Sequence, residues 1–159
     1  MSRRRKATKR PVTVDSRYQS EIVSRLINTI MDRGKKSLAQ RIVYRAIDIV
    51  NEKTGNTDSD PLAILNKAIE TIKPKVEVKS RRIGGATYQV PMEVPRERQL
   101  ALAMRWLKEI AANSKGLRME EALANQIIAA SKGEGEAIRK RDDVYRMAQA
   151  NRAFAHLRF

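Results

Sequence analysis

The residues of this chain best suited to chemistry are cations set beside glycine. Between Pro74 and Pro91 stand Lys75, Lys79, Arg81 and Arg82, with Lys73 just before them, Gly84 and Gly85 close by, and Glu77 as the sole acid in the stretch. The planar fork of arginine matches phosphate oxygens bidentately, and paired glycines let a backbone come close to a groove or a loop. Lysines that only guard an exposed strand edge against aggregation would account for Lys79 but not for two consecutive arginines. A second cationic corner is Gly34-Lys35-Lys36-Ser37. It lacks the pattern of a nucleotide-binding loop, because the earlier glycine would fall at Thr29 and residue 36 is lysine. Gly133-Glu134-Gly135 puts a carboxylate where such a loop holds phosphate, and it reads as a linker.

Acid–base and nucleophilic chemistry find no support. Glu120-Glu121 and Asp142-Asp143 are neighbours in helical stretches, so their side chains point about 100° apart instead of converging. His156 is the only imidazole and there is no cysteine, which removes thiolate nucleophiles, disulfides and the usual zinc sites. No enzyme, cofactor, metal or small-molecule substrate is expected. Trp106 falls beside a helical apolar stripe and is expected to be structural. Aromatic residues make up 4% of the chain, too few for a single-strand stacking platform, so phosphate and shape recognition should dominate.

The elements that must position these cations follow from pattern. The chain has 159 residues and a formal charge of +15, from 33 basic and 18 acidic residues, and a hydrophobic fraction of 42% is enough to fill a core. Residues 1–14 carry Arg3, Arg4, Arg5, Lys6, Lys9 and Arg10 with no acid and no apolar period, and read as a disordered basic arm. Without those six cations, 27 basic residues still face 18 acidic ones, so the body at residues 15–159 is itself basic by nine charges. No apolar run follows the first arginines, as a secretory signal would require, and no stretch nears the roughly 20 apolar residues of a membrane span. A cytoplasmic protein with a polyanionic partner and no membrane is expected.

Helical spacing predicts a first helix from Ser16, with Gln19 completing a capping box and Ile22, Val23, Leu26, Ile27, Ile30 and Met31 inward. Gly34 stops it. Ser37 and Gln40 repeat the start signal for a second helix whose stripe includes Leu38, Ala39, Ile42, Val43, Ala46, Ile47 and Val50. Asp60-Pro61 opens a third, which Pro74 ends. From about 74 to 91 the period changes to two, with Val76, Val78, Tyr88 and Val90 alternating with Glu77, Lys79, Thr87 and Gln89. This is a β-hairpin with its tip near Arg81–Gly85. Helices resume after Pro95, after Gly116 and from about Glu136 to Arg152. The fold class is mainly α: a single domain of about six helices with a protruding β-hairpin arm.

The segment Lys79-Ser80-Arg81-Arg82-Ile83-Gly84-Gly85-Ala86-Thr87-Tyr88-Gln89-Val90-Pro91 closely resembles the hairpin of the bacterial-type small ribosomal subunit protein seven family. Gly34–Ser37, Arg105-Trp106-Leu107 and Met147–His156 are similar to that family's other signatures, in the same order. Gln149 stands where the family more often has glutamate, and Tyr145 where histidine is common. The resemblance implies a structural protein that binds the 3′ major domain of small-subunit ribosomal RNA and initiates assembly of the subunit head on the ribosome. It further implies contacts with exit-site transfer RNA, the messenger RNA path, small-subunit protein eleven and other head proteins.

On that reading the ribosomal RNA contacts are Arg3, Arg4, Arg5, Lys6, Lys9, Arg10, Lys35, Lys36, Lys75, Lys79, Arg96, Arg98, Lys115 and Arg118. Facing transfer and messenger RNA are Arg81, Arg82, Ile83, Gly84, Gly85, Arg139, Lys140, Arg141 and Tyr145. Gln149, Asn151, Phe154 and His156 face a protein partner. The alternative is an architectural DNA-binding protein, which also combines a helical body with a basic ribbon. Such proteins often carry an apolar wedge or proline at the ribbon tip, whereas this tip offers Arg82, Ile83 and two glycines.

Overall fold

The structure, a computed structural model, describes residues 11–55, 60 and 62–157. Six α-helices, one antiparallel hairpin and a closing 3-10 helix follow in the order α1 (Glu21–Ile30), α2 (Lys36–Thr54), α3 (Ala63–Ile72), β1 (Val76–Ile83), β2 (Ala86–Glu93), α4 (Arg96–Asn113), α5 (Met119–Ser131), α6 (Glu136–Ala150) and η1 (Arg152–Leu157). The mainly helical fold class is therefore observed. The cations of residues 1–10 lie outside the described residues. Among the described residues no helix is long and apolar enough to cross a membrane.

The core forms where α1 to α5 meet, with α5 packed against α2, α3 and α4. Val23, Leu26, Ile27 and Ile30 recur at the spacing of one helical face on α1, and all four are buried. Burying one such aliphatic side chain stabilises the fold by about 1.5–3 kcal/mol. Trp106 is 7% exposed and belongs to this core. Leu38, in the first turn of α2, departs from the expected inward stripe and is 45% exposed, while Ala39 beside it is buried.

The helix starts differ from the pattern. Ser16 to Tyr18 form a turn and α1 begins only at Glu21, because Gln19 takes a positive φ of 48° that no helix accommodates. Asp15 organises this entry instead: its carboxylate accepts hydrogen bonds from the backbone N–H groups of Arg17 and Tyr18, each at 3.0 Å. At α2 no capping box forms. Lys35 is the N-cap with no side-chain bond, and the Gln40 amide donates to the Tyr44 hydroxyl at 2.7 Å. Asp60 accepts from the Leu62 N–H at 2.9 Å, one turn before α3. Pro61 lies outside the described residues.

In the hairpin, Val76 pairs with Glu93 and Ile83 with Ala86, and the turn residues Gly84 and Gly85 have φ of 57° and 89°. A two-residue turn with both centres left-handed matches the twist of the flanking strands, and glycine reaches that conformation without a Cβ penalty. The second strand runs two residues past Pro91, to Glu93. Proline is tolerated there because both strands of a two-stranded sheet are edges.

The register also revises the expected faces. On β1 the buried position is Glu77, with Val76 and Val78 only half-buried on the other face, and Val90 pairs with Lys79 while Val78 pairs with Pro91. The apolar sets of the two strands therefore lie on opposite sides. Val90 is fully buried on one side and Val78 half-buried on the other. Packing against α6 and η1 makes this workable, since a braced ribbon does not need a single apolar face.

Candidate nucleic-acid interface

The cations expected from sequence separate into two groups, those engaged by acids of the chain and those left open. At the base of the ribbon Glu77 is only 9% exposed. It accepts Arg98 Nε at 2.9 Å on both carboxylate oxygens and lies 3.2 Å from Lys79 Nζ. Burial alone would push the Glu77 carboxyl up, but the bonds from Arg98 and Lys79 outweigh it and hold the group below its ordinary value. The same bond to Glu77 raises the Arg98 guanidinium above its usual range. Arg98 thus joins the first turn of α4 to Glu77 on β1, while Lys79 pairs with the same carboxylate from within the strand.

Tyr145 serves the same base from α6, its hydroxyl accepting the Lys75 backbone N–H at 3.0 Å. Higher on the ribbon the Tyr88 ring packs on Phe154, with centroids 5.4 Å apart. Phe154 is thereby held by the ribbon, and Asn151 donates to the Met147 carbonyl at 2.8 Å. His156 and Gln149 are exposed. On α6, Lys140 pairs with Glu109 and Arg141 with Asp142. Arg141 also donates to the Thr71 carbonyl at 2.6 Å, tying α6 to α3. Arg139 is exposed.

Past the Arg81–Tyr88 pair only two register pairs and the glycine turn remain. Arg82 is exposed and Arg81 half-buried. Consecutive strand positions send these two arginines to opposite faces, so the tip presents cations on both sides rather than one paired fork. Among the described residues neither arginine makes an ion pair.

A second group of cations stands at helix N-termini. Lys35 is the N-cap of α2 and Lys36 its first residue, Arg96 is the first residue of α4, and Arg118 is the N-cap of α5, with Lys115 in the preceding loop. All five are exposed. The N-terminal end of a helix carries a partial positive charge and unsatisfied N–H groups, so cations there are electrostatically misplaced unless an anion joins them. On α5 the first-turn acids Glu120 and Glu121 offset part of this. On α2 the first turn contains no acid. Helix boundaries read from sequence placed Lys35 and Lys36 at a corner, but not at the dipole end that gives them this character.

Sequence reasoning missed the engagement of Arg98 by Glu77. The signal was present in Glu77 standing as the lone acid of the ribbon, but its partner is 21 residues away. It also missed a polar cluster around Asp15, Arg17, Tyr18, Tyr44 and Asp48.

Comparison with known proteins matches the sequence to one family. The ribosomal protein S7p/S5e family model matches residues 2–152. The chain is 54% identical over 159 residues to a small ribosomal subunit protein uS7 of Akkermansia muciniphila, covering all of both chains. It is 51% identical over 159 residues to the uS7 of Desulfotalea psychrophila, again at full coverage, and 51% identical over 157 residues to that of Thermotoga maritima, covering 99% of each. Matched along essentially its whole length, the chain belongs to the S7p/S5e family of ribosomal proteins.

Proposed function

We propose that this chain binds the 3′ major domain of small-subunit ribosomal RNA, initiates assembly of the subunit head, and presents its ribbon tip to exit-site transfer RNA beside the messenger RNA path. The observation that carries this reading is the placement of Lys35, Lys36, Arg96 and Arg118 at the N-terminal ends of three helices. At α2, whose first turn holds no acid, phosphate relieves a charge the fold leaves uncompensated, while first-turn acids offset part of it at α4 and α5. The six cations of residues 1–10 add to the basic charge of the chain, and the role is structural rather than catalytic. Gln149 and His156, exposed near the C-terminal end, are available to a protein partner such as small-subunit protein eleven.

Binding of the full chain to the 3′ major domain, competed with duplex DNA at one salt concentration, tests the reading. Preference for the ribosomal RNA is expected, with affinity falling by about 0.7–0.9 in log-log slope for each phosphate contact. Equal affinity for duplex DNA, or a slope near zero, would overturn it.

A further inference from the structure

Between the basic arm and α1 the chain is fastened to α2 by a network that the helical packing does not require. Gln40, Tyr44 and Asp48 recur every four residues on α2 and so line one face over about 12 Å. The Tyr44 hydroxyl donates to Asp15 Oδ1 at 2.7 Å while accepting from Gln40 at the same distance. Arg17 grips Asp48 with two nitrogens, at 3.2 and 2.8 Å, and Tyr18 donates to Asp48 Oδ1 at 3.2 Å. The Arg17 guanidinium lies 5.0 Å from the Tyr18 ring centroid and 5.3 Å from that of Tyr44, and the two rings meet edge to face at 5.8 Å.

Asp15 is 5% exposed, whereas Val14 beside it is 53% exposed. Asp15 is thus the first buried position among the described residues.

We infer that Asp15, Arg17, Tyr18, Tyr44 and Asp48 form a latch that fixes where and in which direction the basic arm leaves the body, making these side chains positioning residues for RNA binding. The inference rests on the RNA-binding reading above. The protonation states suit the role. Burial raises the Asp15 carboxyl, but the Tyr18 N–H, the Tyr44 hydroxyl and the Arg17 N–H outweigh it and keep it ionised as an acceptor. Burial and the Asp48 carboxylate push the Tyr18 hydroxyl up to about 12, so it stays a donor. A root fixed in advance lowers the ordering cost the arm meets on binding, and it does so without adding a phosphate contact.

That last property separates positioning from charge. In the full chain, Tyr18→Phe with Tyr44→Phe removes both hydroxyl donors and leaves every cation in place. The chain has no cysteine, so spin labels on cysteines introduced at Thr13 and Lys67 report the arm root directly. The latch predicts a narrow distance distribution that broadens in the double variant. It also predicts an affinity for the 3′ major domain RNA about tenfold weaker at an unchanged salt slope, and no effect of the same substitutions once residues 2–10 are deleted. Arg17→Lys, which keeps the charge and loses the bidentate fork, should reproduce these effects if the double variant unfolds. An unbroadened distribution, a reduced salt slope, or an equal loss in the shortened chain would each overturn the latch. Absence of RNA affinity in the unmodified chain would instead sink the RNA reading, and the distance measurement would still decide whether the root is held.

Discussion

The base and the tip of the ribbon are built from the same residue types and have opposite fates. At the base, the buried Glu77 carboxylate pairs with the exposed cations Arg98 and Lys79, and Tyr145 pins the backbone at Lys75. At the tip, Arg82 is exposed and both Arg81 and Arg82 lack an ion-pair partner among the described residues, beside a turn that only glycine makes easily. Cation density therefore does not by itself mark a nucleic-acid contact. What marks it is the absence of an acid within reach, because a cation already paired with a carboxylate must give up that bond before it can meet a phosphate.

The widest contrast sets the body against the ribbon. Ile27 is 2% exposed, so Ile27→Asp should abolish cooperative unfolding, since a buried unpaired charge costs several kcal/mol of the roughly 5–15 kcal/mol holding a typical domain. Arg25→Asp, on the polar side where Arg25 bonds Glu21, should retain a folded baseline by circular dichroism. Equal collapse of the two variants would overturn the facing assigned to α1.

Next in size is the base itself. Glu77→Ala strands Arg98 and Lys79 and should lower the melting temperature by several degrees. Adding Arg98→Ala should recover part of that loss, giving a coupling of about 0.5–3 kcal/mol in a double-mutant cycle. Strict additivity would show that the pair does not brace the ribbon.

A pH titration sharpens the same point. The Glu77 carboxyl sits below its ordinary value of 4.5 when folded. Its contribution to stability is therefore complete above about that pH and is lost as pH falls through the lower folded value. Amide exchange at Val78 and Val90 should quicken in that acid window in the parent chain and show no such step in Glu77→Gln.

Much of this arrangement could be read from residue order. Gly84-Gly85, Pro74 and the change of period between them located the hairpin, and the i, i+3, i+4 spacing of Val23, Leu26 and Ile27 identified the inner face of α1. The buried carboxylates could not be found in that way. Whether Glu77 is buried depends on Arg98, 21 residues on, and whether Asp15 is buried depends on Tyr44, 29 residues on. Periodicity reports only a residue's own face. Ser16 with Gln19 and Ser37 with Gln40 satisfied the capping pattern in spacing, but a left-handed Gln19 and a lysine N-cap displaced both starts.

The smallest expected effect concerns the upper brace. Phe154→Ala removes the ring that packs on Tyr88 and should cost about 0.5–1.5 kcal/mol beyond the lost burial, read as faster amide exchange near Tyr88 with the core unchanged. No change there would mean that η1 rests on the ribbon without holding it.

The division between base and tip is tested most directly by shortening the ribbon in register. Removing Arg82 and Ile83 with their partners Thr87 and Ala86 brings the Gly84-Gly85 turn down onto the Arg81–Tyr88 pair. It preserves the facing of every remaining residue and takes about 7 Å from the tip. In ribosomes carrying this variant, chemical probing of the head RNA should be normal, while exit-site transfer RNA should dissociate about tenfold faster, the loss of one or two charge-assisted contacts. Charge reversal at Lys75, exposed at the base and without an ion pair among the described residues, should impair head assembly first. If the shortened ribbon blocks assembly as severely as that reversal, the ribbon is a single anchor for ribosomal RNA and its two ends share one task.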